Sequence, residues 1–239
     1  MIFQADVTGL EVLCAAFLSR DEVLIQELAD AVDIHSRNQE AFGLPLGPPG
    51  RLVAKVLVFR ILYGGTQYGF VQDPDFISTS SSLKYWEAAI DKFYDKYKGI
   101  RVWHNKIIND VARDKGLLMP TGRTYEWDLN KFGTFKLPES QIKNYPVQGF
   151  GADCMAIIRV SFHRRFIDAG INGKINLTVH DSIVVDAPAY EQQRIKELFD
   201  GVFRDFNVNF KRMFGIDFDL TMRYELLVGA NMMEMKEVA

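Results

Sequence analysis

Apolar positions along the 239-residue chain follow two different periods. Residues 2–7, Ile-Phe-Gln-Ala-Asp-Val, read as a short strand. From Gly9 to Arg20 the spacing becomes helical, with Leu10, Leu13, Cys14, Phe17 and Leu18 as the apolar positions. A second helix fits 21–32. A third begins at Asp33, a suitable N-cap, and stops at Gly43. The segment Leu44-Pro-Leu-Gly-Pro-Pro-Gly50 is expected to be a loop, because three prolines in seven residues do not continue a helix. The next helix runs from about Arg51 to Tyr63 and is ended by Gly64-Gly65.

Residues 66–82 are mixed and close in a serine-rich loop. Helices are expected over 83–98 and 100–115, then a hairpin from Leu117 to Trp127 turning at Thr121-Gly122. A long helix covers about 139–170, with Pro146 near its start. Two strands follow, 175–179 and 182–186, with His180-Asp181 at the turn. An amphipathic helix fits 188–206, and the last strand lies near 220–228. There is no internal repeat and no targeting tail.

With 48% hydrophobic residues the chain can build one large or two modest cores. No apolar run approaches the ~18 residues of a membrane span, and Met1–Asp6 lacks a signal-peptide pattern. The two cysteines, Cys14 and Cys154, read as small buried hydrophobes in a reducing compartment. No Cys/His cluster has zinc spacing. A net charge of −3 argues mildly against nucleic-acid binding. The local distribution argues the other way, since Lys and Arg gather at 51–60, 92–106, 113–123 and 159–165.

Three segments carry the chemistry. Arg51, Lys55, Phe59 and Tyr63 are four residues apart. At ~100° per residue they drift ~40° per step and share one helix face. That face is cationic at the N-terminal end, where the helix adds positive partial charge, and aromatic at the other. A triphosphate suits the first end, and a base and sugar suit the second. Asp6 and Asp181 lie far apart in sequence, each at the edge of a strand-like run. Carboxylates bridging two Mg²⁺ ions serve in-line displacement at phosphorus well. If the two strands are neighbours in one sheet, both carboxylates are held rigid.

These residues resemble the C-terminal part of family A DNA polymerases, the bacterial DNA polymerase I type. Asp6-Val-Thr-Gly-Leu-Glu11 looks like the family's first polymerase motif. Arg51-x3-Lys55-x3-Phe59-x3-Tyr63-Gly64 matches the second, and His180-Asp181 the third. Asp33-Ile34-His35, Asn144-Tyr-Pro-Val-Gln148 and Thr121-Gly122-Arg123 resemble further family segments, in family order. The sequence departs at Ser182, where the family usually has Glu, at Ser140, where many relatives have Arg, and at Val12, which replaces the Leu after Glu11 and is not followed by Arg.

The resemblance implies a fold of α/β (α+β) class. A small antiparallel palm sheet (2–7, 175–179, 182–186, 220–228) is backed by helices and carries a mostly helical fingers insertion. The implied divisions are palm 1–19, fingers 20–140 and palm 141–239. The implied function is template-directed DNA synthesis, adding deoxynucleotides to a primer 3′-OH by two-metal-ion nucleotidyl transfer. Asp6, Asp181 and the carbonyl of Val7 would hold two Mg²⁺ ions, with Mn²⁺ as an alternative. Arg51, Lys55 and His35 would bind the triphosphate, and Lys55 would also donate a proton to pyrophosphate. Glu11 and Phe59 would shape the sugar pocket, with Glu11 as a steric gate against a 2′-hydroxyl. Tyr63 would lie at the template-base position. Arg123, Asn144, Gln148 and His180 would contact DNA, Asn144 and Gln148 in the minor groove.

Primer–template DNA and dNTPs are the implied partners, with no membrane, in the cytoplasm of a bacterial or phage-infected cell. Family members carry a thumb and usually a 3′–5′ exonuclease-like domain ahead of the first motif. The expectation is a split, phage-type polymerase whose second subunit supplies both and covers an exposed apolar flank on strand 2–7. An excised fragment is the alternative origin. The competing functions are a catalytically inactive nucleic-acid-binding scaffold subunit and an RNA-synthesising relative.

Overall fold

The structure, a computed structural model, describes residues 1–128 and 137–238. Residues 129–136, inside the expected 20–140 span, and Ala239 lie outside the described residues. The first elements are β1 (Ile2–Val7), α1 (Leu10–Ser19), α2 (Glu22–Ala29), α3 (Ile34–Phe42), α4 (Pro48–Leu62), α5 (Gln67–Gln72) and α6 (Pro74–Ile77). Then come α7 (Leu83–Lys96), α8 (Lys98–Asp114), β2 (Gly116–Leu118), β3 (Thr124–Glu126) and α9 (Glu139–Asp168). The chain ends with β4 (Lys174–Val179), β5 (Ser182–Asp186), α10 (Gln192–Arg204), α11 (Phe206–Phe214), β6 (Tyr224–Gly229) and β7 (Lys236–Glu237). These elements form two compact units: a sheet unit of residues 1–10 and 149–239, and a helical unit of residues 11–148. The chain passes between them inside α1 and α9.

The sheet unit is a mixed α/β structure on a five-stranded antiparallel sheet ordered β4-β5-β1-β6-β7. Alternation along β1 buries Phe3, Ala5 and Val7 and turns Ile2, Gln4 and Asp6 to the other face. The helical side is filled with aromatic rings. Phe162 of α9 stacks on Phe199 of α10 at 3.9 Å, and Phe199 and Phe203 meet Tyr224 of β6. Phe150, Phe206, Phe210 and Phe218 form a second cluster. β1 is paired on both sides, so the expected exposed flank on residues 2–7 does not exist. The open edge is β4, where Leu177 and Val179 are 50% and 43% exposed.

In the helical unit, local signals set the helix ends. Asp21 caps α2 by accepting from the Leu24 amide at 2.9 Å, and also accepts from the Gly99 amide at 2.7 Å. Gly99 is required there, since a Cβ would stand 2.7 Å from the Asp21 Cα. Asp33 caps α3, and Gly43 at φ +70° ends it. Trp86 packs with Phe70 and Phe76, which places α5 and α6 in the segment 66–82 that the pattern left mixed.

Two boundaries differ from the pattern. α4 begins at Pro48, not Arg51, because Pro48 and Pro49 occupy the first turn, where a helix needs no amide donor. Gln39 secures that start by donating to the carbonyls of Pro45 and Gly47. The single helix expected over 188–206 is a 3-10 turn at Ala189–Glu191 followed by α10 and then α11. Asp205, with non-helical backbone angles and a 2.6 Å ion pair to Arg165, separates the two helices. α11 is held by buried Phe206 and Phe210.

Cys14 and Cys154 are both fully buried. Among the described residues no helix is long and apolar enough to cross a membrane.

His104 is buried in α8, with its Nδ1 3.0 Å from the Tyr94 hydroxyl. Burial pulls its pKa down to about 3. The unfolded chain takes up this proton near the ordinary histidine value, and the folded chain does so only near 3. His104 therefore costs nothing above about pH 6.5 and destabilises progressively as pH falls from there toward 3. Urea unfolding at pH 7 and pH 5 should show a shallower loss of stability in His104→Phe than in the unsubstituted chain; equal slopes refute the assignment.

Candidate active site

The site residues fall into two groups, one in each unit. In the sheet unit, antiparallel pairing brings the two distant aspartates together. Asp6 lies opposite Ser182 of β5 on one side and Glu225 of β6 on the other. One residue on, the Val7 amide donates to the Asp181 carbonyl at 3.0 Å. Directly paired residues share a face of the sheet with Cα atoms about 4.5–5.5 Å apart. The backbones of Asp6 and Asp181 are therefore neighbours at one end of the sheet, and both residues are half-buried.

Asp181 is the second residue of the two-residue turn joining β4 to β5, since Val179 pairs with Ser182. His180, the first, sits at φ +52° and is exposed at the tip. Positive φ at that position belongs to the primed turns that tight hairpins use. Ser182 is buried, and its hydroxyl donates to the Val179 carbonyl at 2.9 Å. The residue that replaces the family carboxylate thus braces the hairpin that presents Asp181.

The donors here are hard oxygens, which suit Mg²⁺. Among the described residues, no group of three or more His, Cys, Asp or Glu side chains is arranged to hold a metal ion. That still fits Mg²⁺, which commonly takes one or two carboxylates and completes its shell with water and substrate phosphate. Glu225 adds a like charge across from Asp6, an arrangement that a cation relieves. The sequence alone gave no sign of Glu225, because strand register is not written in the alternation of β6.

In the helical unit, α4 buries Ala54, Leu57, Val58, Ile61 and Leu62 and leaves Arg51, Lys55, Phe59 and Tyr63 exposed or half-buried, the face expected from their spacing. His35 of α3 stands 5.7 Å from the Phe59 ring, which stands 6.5 Å from Tyr63. A groove of about 570 Å³ opens beside the N-terminal end of α4, lined by Ser36, Gln39, Gly47, Pro48, Arg51, Leu52 and Lys55. The unpaired amides of the first helical turn add to its positive field.

The three implied triphosphate ligands differ in state. Lys55 is exposed and has no ion-pair partner among the described residues. Arg51 is gripped by Asp33 at 2.7 and 3.1 Å. That pair raises the Arg51 pKa and holds the Asp33 carboxyl well below the usual range. The sequence had shown Asp33 as a cap and as part of the Asp33-Ile34-His35 resemblance, with no partner on α4. His35 is pushed down to about 4, first by burial and then by Arg51 and Lys55, so its imidazole is neutral at pH 7. Its Nδ1 is buried with no hydrogen-bond partner. A buried polar atom without a partner marks a position where a ligand group gains a hydrogen bond.

The DNA-facing expectations also acquire positions. Gln148 donates to the Tyr63 hydroxyl at 2.7 Å, so the C-terminal end of α4 is tied to α9. Asn144 lies one turn earlier on α9, and its Oδ1 is buried without a partner. Arg123 is exposed beside the β2–β3 turn, where Gly122 at φ +84° makes the bend. The Tyr125 hydroxyl of that hairpin donates to the Tyr145 carbonyl of α9 at 2.8 Å. Glu11 lies in the first turn of α1, half-buried.

Comparison with known proteins gives the lineage. The DNA polymerase I of Caldicellulosiruptor bescii is 28% identical over 206 residues, 83% of this chain and 24% of that protein. The DNA polymerase I of Streptococcus pneumoniae serotype 4 is 28% identical over 207 residues, 83% of this chain and 23% of that protein. That of Chloroflexus aurantiacus is 28% identical over 216 residues, 85% and 22%. The chain thus spans about a quarter of the length of these curated relatives. In fold it is similar to the POL domain of Pol1 from M. smegmatis, solved with DNA primer-template and dNTP, at a TM-score of 0.78 and 22% identity. That match covers 95% of this chain and 39% of the other. The model of DNA polymerase family A matches residues 1–232, and the chain belongs to that family.

Proposed function

We propose that this chain carries the nucleotidyl-transfer site of a template-directed DNA polymerase, the sheet unit acting as palm and the helical unit as fingers. The observation that carries the reading is the pairing of β1 with the β4–β5 hairpin. It supports the reading because it makes the backbones of Asp6 and Asp181 neighbours although 175 positions (181 − 6) separate them. A scaffold has no chemical need for two adjacent acidic strand ends, nor for a cationic–aromatic helix with an unpartnered imidazole nitrogen beside it.

In this reading Asp6, Asp181 and the Val7 carbonyl hold divalent ions. When bound, these ions supply activation of the attacking 3′-hydroxyl and neutralise charge developing on the leaving pyrophosphate. Arg51, Lys55 and the neutral His35 grip the triphosphate of an incoming dNTP, and Lys55 gives a proton to pyrophosphate. Phe59 and Tyr63 offer faces to sugar and base. Arg123, Asn144, Gln148 and His180 contact the primer–template. A second chain bearing thumb and exonuclease belongs to the same proposal. The open β4 edge with its half-exposed Leu177 and Val179 supports a covering partner.

Three outcomes follow. In Mg²⁺-dependent primer extension, Asp181→Asn should reduce the rate by about a thousandfold or more, the scale of lost metal-centred charge stabilisation. Primer–template affinity should stay within a few-fold; undiminished extension refutes the metal assignment. Glu11→Ala should raise ribonucleotide incorporation relative to deoxynucleotide by at least about tenfold, measured as the ratio of kcat/KM values, and an unchanged ratio removes the gate role. Purification from the native source should yield a complex with a second polypeptide, whereas a stable, fully active monomer disposes of the partner.

A further inference from the structure

The junction of α3 and α4 contains a polar fastening that neither element needs for its own sake. The Asp33 carboxylate receives five hydrogen bonds. Oδ1 accepts from the His35 amide (3.1 Å), the Ser36 amide (3.3 Å) and Arg51 Nη2 (3.1 Å). Oδ2 accepts from the Ser36 hydroxyl (2.7 Å) and Arg51 Nε (2.7 Å). An ionised carboxylate offers about four lone-pair sites, so this one is saturated. Three of its donors come from the α3 N-terminus, and a plain N-cap would stop at the two backbone amides among these. The two from Arg51 reach across eighteen residues to a different helix.

The choice of guanidinium edge matters. Asp33 occupies the Nε–Nη2 edge of Arg51 and leaves Nη1 without a partner among the described residues. A planar fork held by one edge presents its remaining N–H groups in a fixed direction. His35 follows Asp33 by two residues on the same helical turn, with its unpartnered Nδ1. Gln39, one turn further along α3, donates to the carbonyl of Gly47, the N-cap of α4. Asp33 and Gln39 therefore bolt α3 to α4 at two points, and His35 and Arg51 are carried as one rigid pair.

We propose that Asp33 is a positioning residue for nucleotide binding: it aims Arg51 at the triphosphate and couples that aim to His35. The proposal rests on the reading of the α4 groove as a triphosphate site. A carboxylate beside a phosphate subsite also repels the ligand. Here both partners of the ion pair are nearly half exposed, so that repulsion is screened by water and salt. Loss of aim outweighs relief of repulsion, because an unheld arginine disperses over many rotamers. Removing the Asp33 charge therefore weakens nucleotide binding.

Asp33→Asn separates this role from capping, because asparagine caps helices as well as aspartate does. The measurements are dNTP titrations of primer extension at 0.15 M salt and calorimetric Kd for dATP with Mg²⁺. Asp33→Asn should raise KM and Kd by about tenfold, the size of a coupling between contacting charged groups, with kcat within about twofold and Tm lowered by no more than about 4 °C. In an Arg51→Ala background the same substitution should have no further effect on Kd. An unchanged or lowered Kd in Asp33→Asn overturns the proposal, as does an undiminished effect in the Arg51→Ala background. If dATP binds but neither the chain nor its complex purified from the native source extends a primer, the polymerase reading falls and the Kd comparison decides this one. A chain that binds no triphosphate overturns both.

Discussion

The hydrogen bond from the Val7 amide to the Asp181 carbonyl is the smallest contact on which the rest turns. It closes the pairing of β1 with the β4–β5 hairpin, and that register decides which side chains stand beside Asp6. A slip of one residue would send Asp6 to the face that now packs Phe3, Ala5 and Val7 against the helices. The aromatic packing beneath the sheet therefore does more than stabilise it. Phe162, Phe199 and Tyr224 fix which face is apolar, and so fix the acidic end of the other face. The tight turn at His180-Asp181, braced by the Ser182 hydroxyl, extends the same logic to the loop.

The helical unit builds its polar site by grading its cations. Arg51 is charged but held, Lys55 is charged and unheld, and His35 is neutral because burial and its two neighbours make protonation costly. A triphosphate bound there as proposed would reverse the local field at His35. The same imidazole would then gain a reason to take a proton. A polar network anchors this arrangement from behind. Tyr97 donates to Glu27, Asn38 to Tyr97 and Lys96 to Asn38, all at 2.7–3.1 Å, locking α3 to α2 and α7 through nearly buried groups. Such networks rigidify an interior when every member is satisfied.

Much of this was legible in the sequence, for identifiable reasons. The four-residue spacing from Arg51 to Tyr63 is a property of the helix alone, so its face could be assigned without tertiary information. Caps at Asp33 and Gly43 and the turn at Thr121-Gly122 are equally local. The adjacency of Asp6 and Asp181 was available only through family resemblance, because register depends on packing. The start of α4 was misplaced because prolines were weighed as helix breakers, although at the first turn they are compatible with it. The break at Asp205, the side-chain partner of Arg51 and the strand neighbours of Asp6 depend on contacts between distant residues, which no local pattern encodes.

Both thiols of the chain, Cys14 and Cys154, are sealed in the two interiors with no exposed surface. Thiol-directed reagents therefore have no native target while the chain stays folded, since that chemistry requires an accessible thiolate. A single cysteine introduced on an exposed position would be the one reactive thiol in the molecule. Spectroscopic labels can accordingly be attached to either unit without first stripping out the native residues, and the reaction of the native pair itself becomes a clock for unfolding.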